Sequence, residues 1–113
     1  MADLSLAPVP VATGVLDIAA AAVAASAGGD TAPVGPGRLL YVNNGSGAGI
    51  TVTLATPGQV SGIAIADPVY AVPAGKHAII PLAGVFRGAN GRAAITYSAV
   101  TTVTVRAFEL ATG

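Results

Sequence analysis

The chain's only lysine and only histidine, Lys76 and His77, stand side by side in a sequence that is otherwise poor in charge. A histidine can act as a general base or as a metal ligand, but either chemistry needs a partner such as a nucleophile or a carboxylate. The residues around the pair are Ala, Gly, Pro and Ile. The stretch "VPAG" (72–75) has the composition of a tight turn, so the pair falls where a strand leaves that turn. The sequence therefore predicts a solvated rim here rather than a catalytic site.

The other residues that could do chemistry are too scattered to form a site by local spacing. Five carboxylates stand singly, so neither an acid–base pair nor a calcium loop can be assembled from them; they are Asp3, Asp17, Asp30, Asp67 and Glu109. The glycine-rich "GSGAG" (45–49) lacks the lysine and the following helix of a phosphate loop, and we interpret it as a hairpin loop. Asn44 begins a glycosylation sequon that has meaning only in a secreted protein. We expect no catalytic residue, no cofactor, no metal and no enzymatic activity.

The aromatic residues allow one further kind of site, a platform for sugars. Aromatic side chains on strands more often belong to the core, which is the interpretation we prefer. They are Tyr41, Tyr70, Tyr97, Phe86 and Phe108.

Composition limits the partners that the chain can have. With 113 residues it has room for one domain, and its formal net charge is 0. Because acidic and basic residues are equal in number, the chain has no excess of positive charge to bind a phosphate backbone, so we expect no nucleic-acid partner. Only 9% of the residues are charged, whereas 53% are hydrophobic. This composition favours a protein that is packed against other protein; the alternative is a soluble surface of Ser, Thr, Gly and Asn.

The chain also lacks the features of a secreted or membrane protein. It contains no cysteine, and its first residues lack the basic region of a secretory signal, so we expect synthesis in the cytoplasm. The alanine-rich run 18–27 is well below the roughly 20 apolar residues that cross a bilayer. We therefore expect no membrane segment.

From residue 38 onward the hydrophobic pattern has the period of a β-strand. Six strands are predicted, at 38–44, 50–56, 63–72, 77–82, 93–98 and 102–110. In the clearest of them, Ile50, Val52 and Leu54 alternate with Thr51 and Thr53. Gly, Pro and Asn separate the segments, for example in "PAG" (73–75) and "ANG" (89–91). The sequence predicts an all-β fold with a single antiparallel β-sandwich or β-barrel domain.

The first 37 residues differ from the rest in composition. Alanine favours a helix in 18–27, but two glycines and two prolines follow the run. We therefore predict an extended or partly helical N-terminal arm over 1–37 with little core of its own, ahead of a β domain over 38–113. Its candidate contacts with other proteins are Leu16, Ile18, Val23 and Val34.

The order of motifs along residues 27–110 resembles that of a family of small tailed-phage proteins, which are often encoded beside the major capsid protein. The motifs that carry the resemblance are "AGGD" (27–30), "GR" (37–38), "VNNGS" (42–46), "VPAG" (72–75) and "TYSAVT" (96–101). The members of the family that the chain resembles are head decoration, or capsid cement, proteins. Each motif alone is weak, but together they are moderately specific. The alanine-rich run 18–27 departs from the pattern, because it is richer in alanine than the family suggests.

The resemblance implies a structural virion protein that binds the outside of the capsid and stabilises the shell. Its implied partners are the major capsid protein and other copies of itself, with a trimer as one arrangement. Deleting residues 2–37 is then expected to leave a folded β domain that no longer binds shells. Two alternatives stay open: a host-glycan-binding or fibre domain, and a tail-tube, neck or head-completion protein.

Overall fold

The computed structural model describes residues 2–20, 22–88 and 91–110, and the regular secondary structure of these residues is almost entirely β. In chain order, the strands of these residues are β1 (Ala2–Asp3), β2 (Leu6–Val9), β3 (Val23–Ala24), β4 (Asp30–Pro33), β5 (Arg38–Asn44), β6 (Ile50–Leu54), β7 (Gln59–Val60), β8 (Ile63–Ala64), β9 (Val69–Val72), β10 (His77–Pro81), β11 (Arg92–Tyr97) and β12 (Val103–Leu110). A 3-10 turn, Gly84–Phe86, lies between β10 and β11. Ala89 and Asn90 of the predicted turn at 89–91 lie outside the described residues.

Most of the strands belong to two sheets that pack face to face. The first sheet has the strand order β1-β4-β11-β6-β9, and the second has the order β10-β5-β12-β2, with β3 also beside β12. Most pairs are antiparallel, whereas β1 with β4 and β2 with β12 are parallel. The all-β fold is confirmed, and its form is a sandwich of two open sheets.

The core lies between the sheets and follows the predicted alternation. In β6, Ile50, Val52 and Leu54 are buried, and the threonines between them are half-buried. In β12, Val103 and Val105 point inward in the same way. A half-buried strand places every second side chain on one face, which is why the pattern predicted these two strands well.

The N-terminal segment takes part in both sheets. Its described residues supply β1 and β4 to the first sheet, and β2 and β3 to the second. Leu4, Ala25, Ala32 and Val34 are buried in the shared core. The segment is extended, as one of the two expectations had it, but the strand pairing shows no boundary at residue 37. These strands could not be predicted from the residue pattern, because they are short and rich in Ala and Pro, which have low β propensity.

The predicted strand at 63–72 is interrupted. β8 ends at Ala64, and β9 begins only at Val69, after Asp67 and Pro68. Asp67 accepts hydrogen bonds from the backbone N–H and the hydroxyl of Thr56, both at 2.8 Å, and these lower the pKa of its carboxyl group. The bonds close the base of a small hairpin in which β7 pairs only with β8. The strand is interrupted because the carboxylate of Asp67 binds Thr56, and because Pro68 has no N–H to donate to a neighbouring strand.

Candidate functional site

The structure places Lys76 and His77 where the turn chemistry predicted. The N–H of Lys76 donates to the carbonyl of Pro73 at 3.1 Å, and Gly75 between them has a φ of 70°, which glycine adopts without strain. His77 is the first residue of β10, and both side chains are exposed. The position at the rim of a turn is confirmed.

His77 nevertheless has a partner that the local sequence did not indicate. Its Nδ1 lies 2.6 Å from the hydroxyl oxygen of Tyr41, and the two rings stack with centroids 5.7 Å apart. The register of β10 on β5 creates this contact, because it sets His77 opposite Asn43 and Ile79 opposite Tyr41. A register between strands 36 residues apart cannot be deduced from either strand alone. The pair therefore ties an edge strand to its neighbour.

Tyr41 lies on the outer face of the second sheet, at a position that is covered rather than open to solvent. Its side chain points away from the core, yet the residue is only 1% exposed. Burial raises the pKa of the Tyr41 hydroxyl, and the nearby carboxylate of Asp17 raises it further. Asp17 belongs to the N-terminal segment. Part of that segment therefore lies over this face.

The covering segment consists of residues 10–20 and 22, which we call the flap. It leaves the edge of β12 after Val9, which pairs with Leu110, and returns to the same edge at Val23, which pairs with Val105. The hydrogen bonds of its described residues join flap residues to one another; examples are Gly14 N–H to the Pro10 carbonyl at 2.8 Å and Ala20 N–H to the Asp17 carbonyl at 3.2 Å. The flap is thus tethered at both ends and rests on the sheet through side chains.

An apolar groove of about 180 Å³, partly open to solvent, lies between the flap and the sheet. Its floor consists of apolar side chains of the second sheet, namely Leu39, Tyr41, Ile79, Phe108 and Leu110, with Val9 at the rim. Val15 and Ile18 of the flap form the roof. The Tyr41 hydroxyl is the one side-chain polar group of this lining, and it is bound to His77.

The four predicted contact residues have different positions in the structure. Leu16, on the flap, is 97% exposed, and Ile18 and Val23 are 42% and 48% exposed. Val34 differs, because it is 2% exposed and packs in the core of this chain. It is therefore unavailable to a partner in this fold, while a contact role for the other three stays a prediction. The sequence missed Val11 and Ile79, which are 75% and 65% exposed on the flap and beside it.

The aromatic residues are buried or half-buried, but the predicted place in the core holds only for Phe86, Tyr70 and Tyr97, because Tyr41 and Phe108 lie on the outer face of the second sheet. Tyr41 lies under the flap, and Phe86 and Phe108 are buried. Tyr70 and Tyr97 are partly buried and pack against the core. The side chains considered for a sugar platform therefore do not form an exposed surface.

Two buried polar groups hold the sandwich rather than face a ligand. Asp30 lies in the core, where its Oδ2 accepts a hydrogen bond from the Tyr97 hydroxyl at 2.8 Å and one from the Ser26 N–H at 3.3 Å. Burial raises the pKa of Tyr97 far above its ordinary range, and Asp30 raises it further. The side chain of Asn44 is fully buried, so the amide of the sequon is inaccessible to modification.

The loop 45–49 is not the predicted hairpin loop. It connects β5 of the second sheet to β6 of the first, and therefore crosses between the sheets. The turn at 73–76 makes a second crossing, from β9 to β10. The period of a strand shows which side is buried, but it does not show to which sheet the strand belongs.

Comparisons of the chain with protein-family models, with curated proteins and with solved structures found no match. In residues 2–20, 22–88 and 91–110, no helix has the length and apolar character needed to span a bilayer. The same described residues contain no cluster of three or more His, Cys, Asp or Glu side chains suited to a metal ion.

Proposed function

We propose that this protein is a structural virion protein that binds the outside of a tailed-phage capsid and stabilises the shell. The observation that supports this most directly is the 97% exposure of Leu16, on a flap where Val11 is 75% exposed as well. Apolar side chains that stand clear of their own domain are typical of surfaces that another protein covers. The order of motifs along residues 27–110, which resembles that of the decoration family, also supports this role.

The charges of the chain favour an apolar attachment over an ionic one. Arg38 is paired with Glu109 at 3.0 Å within the chain. Arg92 donates to the carbonyl of Leu4 at 2.6 Å and to the hydroxyl of Thr31 at 2.9 Å. Exposed ion pairs contribute only about 0 to 1 kcal/mol each, whereas apolar burial contributes about 25 cal/mol per Å². Attachment therefore rests mainly on apolar contact.

A protein bound in this way strengthens a shell without chemistry. Because it binds the intact lattice and not the separated subunits, its binding free energy adds to the stability of the lattice. Many copies act together, and contacts between neighbouring copies operate at high effective concentration, so a modest interface suffices.

The experiment adds purified protein back to capsids that lack it. Leu16→Asp is expected to reduce binding at least about tenfold, because a carboxylate would have to lose its water in an apolar contact. Ile63→Asp is the matched control, since Ile63 is 72% exposed on the separate β7–β8 hairpin. Unchanged binding by Leu16→Asp would contradict the proposed attachment.

The number of copies per particle separates this role from that of a neck or head-completion protein. A decoration protein repeats with the shell lattice in hundreds of copies, whereas a neck ring holds about a dozen. Quantitative gel analysis of purified particles measures this ratio against the major capsid protein.

A further inference from the structure

In the part of the chain that the structure describes, the edge strand β9 of the first sheet leaves four backbone groups without a partner. β9 pairs with β6 on one side only. The N–H of Leu54 donates to the carbonyl of Pro68 at 3.3 Å, and this bond fixes the alternation of the ladder, so that Tyr70 bonds to β6. The N–H and C=O groups of Val69 and Ala71 therefore point away from β6 and are open to another strand.

The other edges of the two sheets, among the described residues, carry features that hinder pairing with a further strand. β1 and β3 have only two residues each, β2 contains Pro8, and β10 ends with Pro81. The N–H of Leu82 donates to the carbonyl of Arg38 at 2.9 Å, so the alternation of that ladder turns Pro81 toward the open side of β10. Very short, charged or proline-containing edges protect sheets against pairing with another chain. β9, with the sequence "VYAV" (69–72), is uncharged and contains no proline.

The open groups of β9 are complementary to those of a second β9. When two copies lie antiparallel with Tyr70 of one opposite Tyr70 of the other, Val69 of each copy faces Ala71 of the other. Residues that face each other in this way exchange two hydrogen bonds, so the two pairs use all four open groups of each copy. A shift by two residues in either direction opposes an open residue to Pro73, which has no N–H, or to Asp67, which lies outside the strand. The register centred on Tyr70 therefore makes the most bonds.

The side chains of β9 also suit a second copy. Because the strand carries no charge, the pairing brings no like charges together. Val69, which is 60% exposed, would lie beside the small side chain of Ala71 on the outer face, and the two Tyr70 rings would be neighbours on the inner face. Cross-strand neighbours of these kinds stabilise antiparallel pairs. β10 follows β9 through the turn at 73–76 and ends the second sheet, so its edge lies on the same flank of the sandwich and can add to the contact.

We infer that β9 is an interface at which a second copy of this chain adds its own β9 antiparallel, so that the first sheet continues through a twofold axis at Tyr70. A contact of this kind uses the same patch on both copies and closes as a dimer. The strand pair is smaller than a standard interface of about 20 to 30 residues a side, so the dimer is expected to be weak. The inference does not depend on the proposed role at a shell.

The first test measures the molar mass of the full-length protein by light scattering at concentrations from about 10 µM to 1 mM, the range of a weak complex. We expect a dimer that increases with concentration, and a monomer throughout or a trimer would overturn the inference. Val69→Lys is expected to raise the dissociation constant at least about tenfold, because a lysine on an edge strand hinders pairing. Val85→Lys is the matched control, since Val85 is 47% exposed on the 3-10 turn and outside β9. Equal increases in the two variants would also overturn the inference.

Single cysteines test the register, because the natural chain contains none. Tyr70→Cys places two thiols in a pair whose Cα atoms are about 4.5 Å apart, within the span of a disulfide, so a mild oxidant is expected to give a covalent dimer. Val69→Cys is the matched control: in the same register its two Cα atoms are about 8 Å apart, too far for a disulfide, although Val69 is well exposed. Equal yields of covalent dimer in the two variants, including none in either, would overturn the pairing centred on Tyr70.

Discussion

The side-chain amide of Asn44 donates a hydrogen bond to the carbonyl of Val72 at 3.0 Å, and so joins the two connections that cross between the sheets. The same nitrogen donates to the carbonyl of Ala48 at 2.9 Å, and the side-chain oxygen accepts from the N–H of Ser46 at 3.1 Å. One side chain thus holds both crossings at the same end of the sandwich.

Asn44→Ala is expected to lower the free energy of unfolding by roughly 1 to 3 kcal/mol, because it removes the donor to the buried carbonyl of Val72 and the acceptor of the Ser46 N–H. Asn43→Ala is the matched control, since this neighbour points to the opposite face of β5 and is only half-buried. Urea denaturation of both variants measures the difference. Equal losses in the two variants would show that the crossings do not depend on Asn44.

Because of Tyr97, the free energy of unfolding is expected to decrease at alkaline pH. Its folded-state pKa is raised, first by burial and then by Asp30, so the unfolded chain loses this proton at a lower pH than the folded protein does. The stabilisation is complete below the ordinary pKa of about 10 and is lost as the pH rises above it, by up to about 1.4 kcal/mol per pH unit. Tyr41, whose pKa is also raised, adds to the effect.

Tyr97→Phe is expected to lower stability at neutral pH by about 1 to 3 kcal/mol, because it removes a hydrogen bond to a buried carboxylate, and to make the alkaline decline shallower. Tyr70→Phe removes a hydroxyl from a partly buried tyrosine without touching Asp30, and serves as the control. Denaturant unfolding between pH 7 and about 11 measures both effects. A decline equally steep in Tyr97→Phe would contradict the assignment.

Attachment to the shell is expected to survive molar salt but to weaken in mild denaturant. In molar salt, charges more than about 3 Å apart are screened, whereas apolar burial is undiminished. Purified particles are washed in sodium chloride and, separately, in dilute urea, and the released protein is measured. Release by salt from an intact capsid would mean that the interface is ionic.

Deletion of residues 2–37 is now expected to unfold the protein, contrary to the expectation from the sequence. The deletion removes β4 from beside β11 and β2 from beside β12, together with the buried side chains of Leu4 and Val34. Large-to-small changes in a core already cost about 2 to 5 kcal/mol each, and a domain of this size has only about 5 to 15 kcal/mol to lose. Circular dichroism and a urea melt of the truncated chain provide the measurement, and a cooperative transition would contradict the expectation.

The sequence predicted those features that local chemistry determines. The alternation of Ile50, Val52 and Leu54 located β6 and its buried face, and Gly75 located the turn before His77. It did not predict the contact of His77 with Tyr41, the crossing at 45–49 or the flap. Each of these three features depends on pairing between strands that are distant in the sequence. The residues of β2 and β4 also have low β propensity, so their pairing could not be predicted from local composition.

The position of β12 in the second sheet affects how the chain can fold as it is synthesised. β12 follows the other described strands in the sequence, yet it lies between β5 and the edge formed by β2 and β3, so residues 6–9 pair with residues 107–110. Closing a loop of that length is an entropic barrier that slows folding. Until the ribosome releases β12, the inward faces of β5 and of the N-terminal strands have no partner between them. The nascent chain is therefore exposed to aggregation until residues 103–110 have been made, and chaperone binding is expected before that stage.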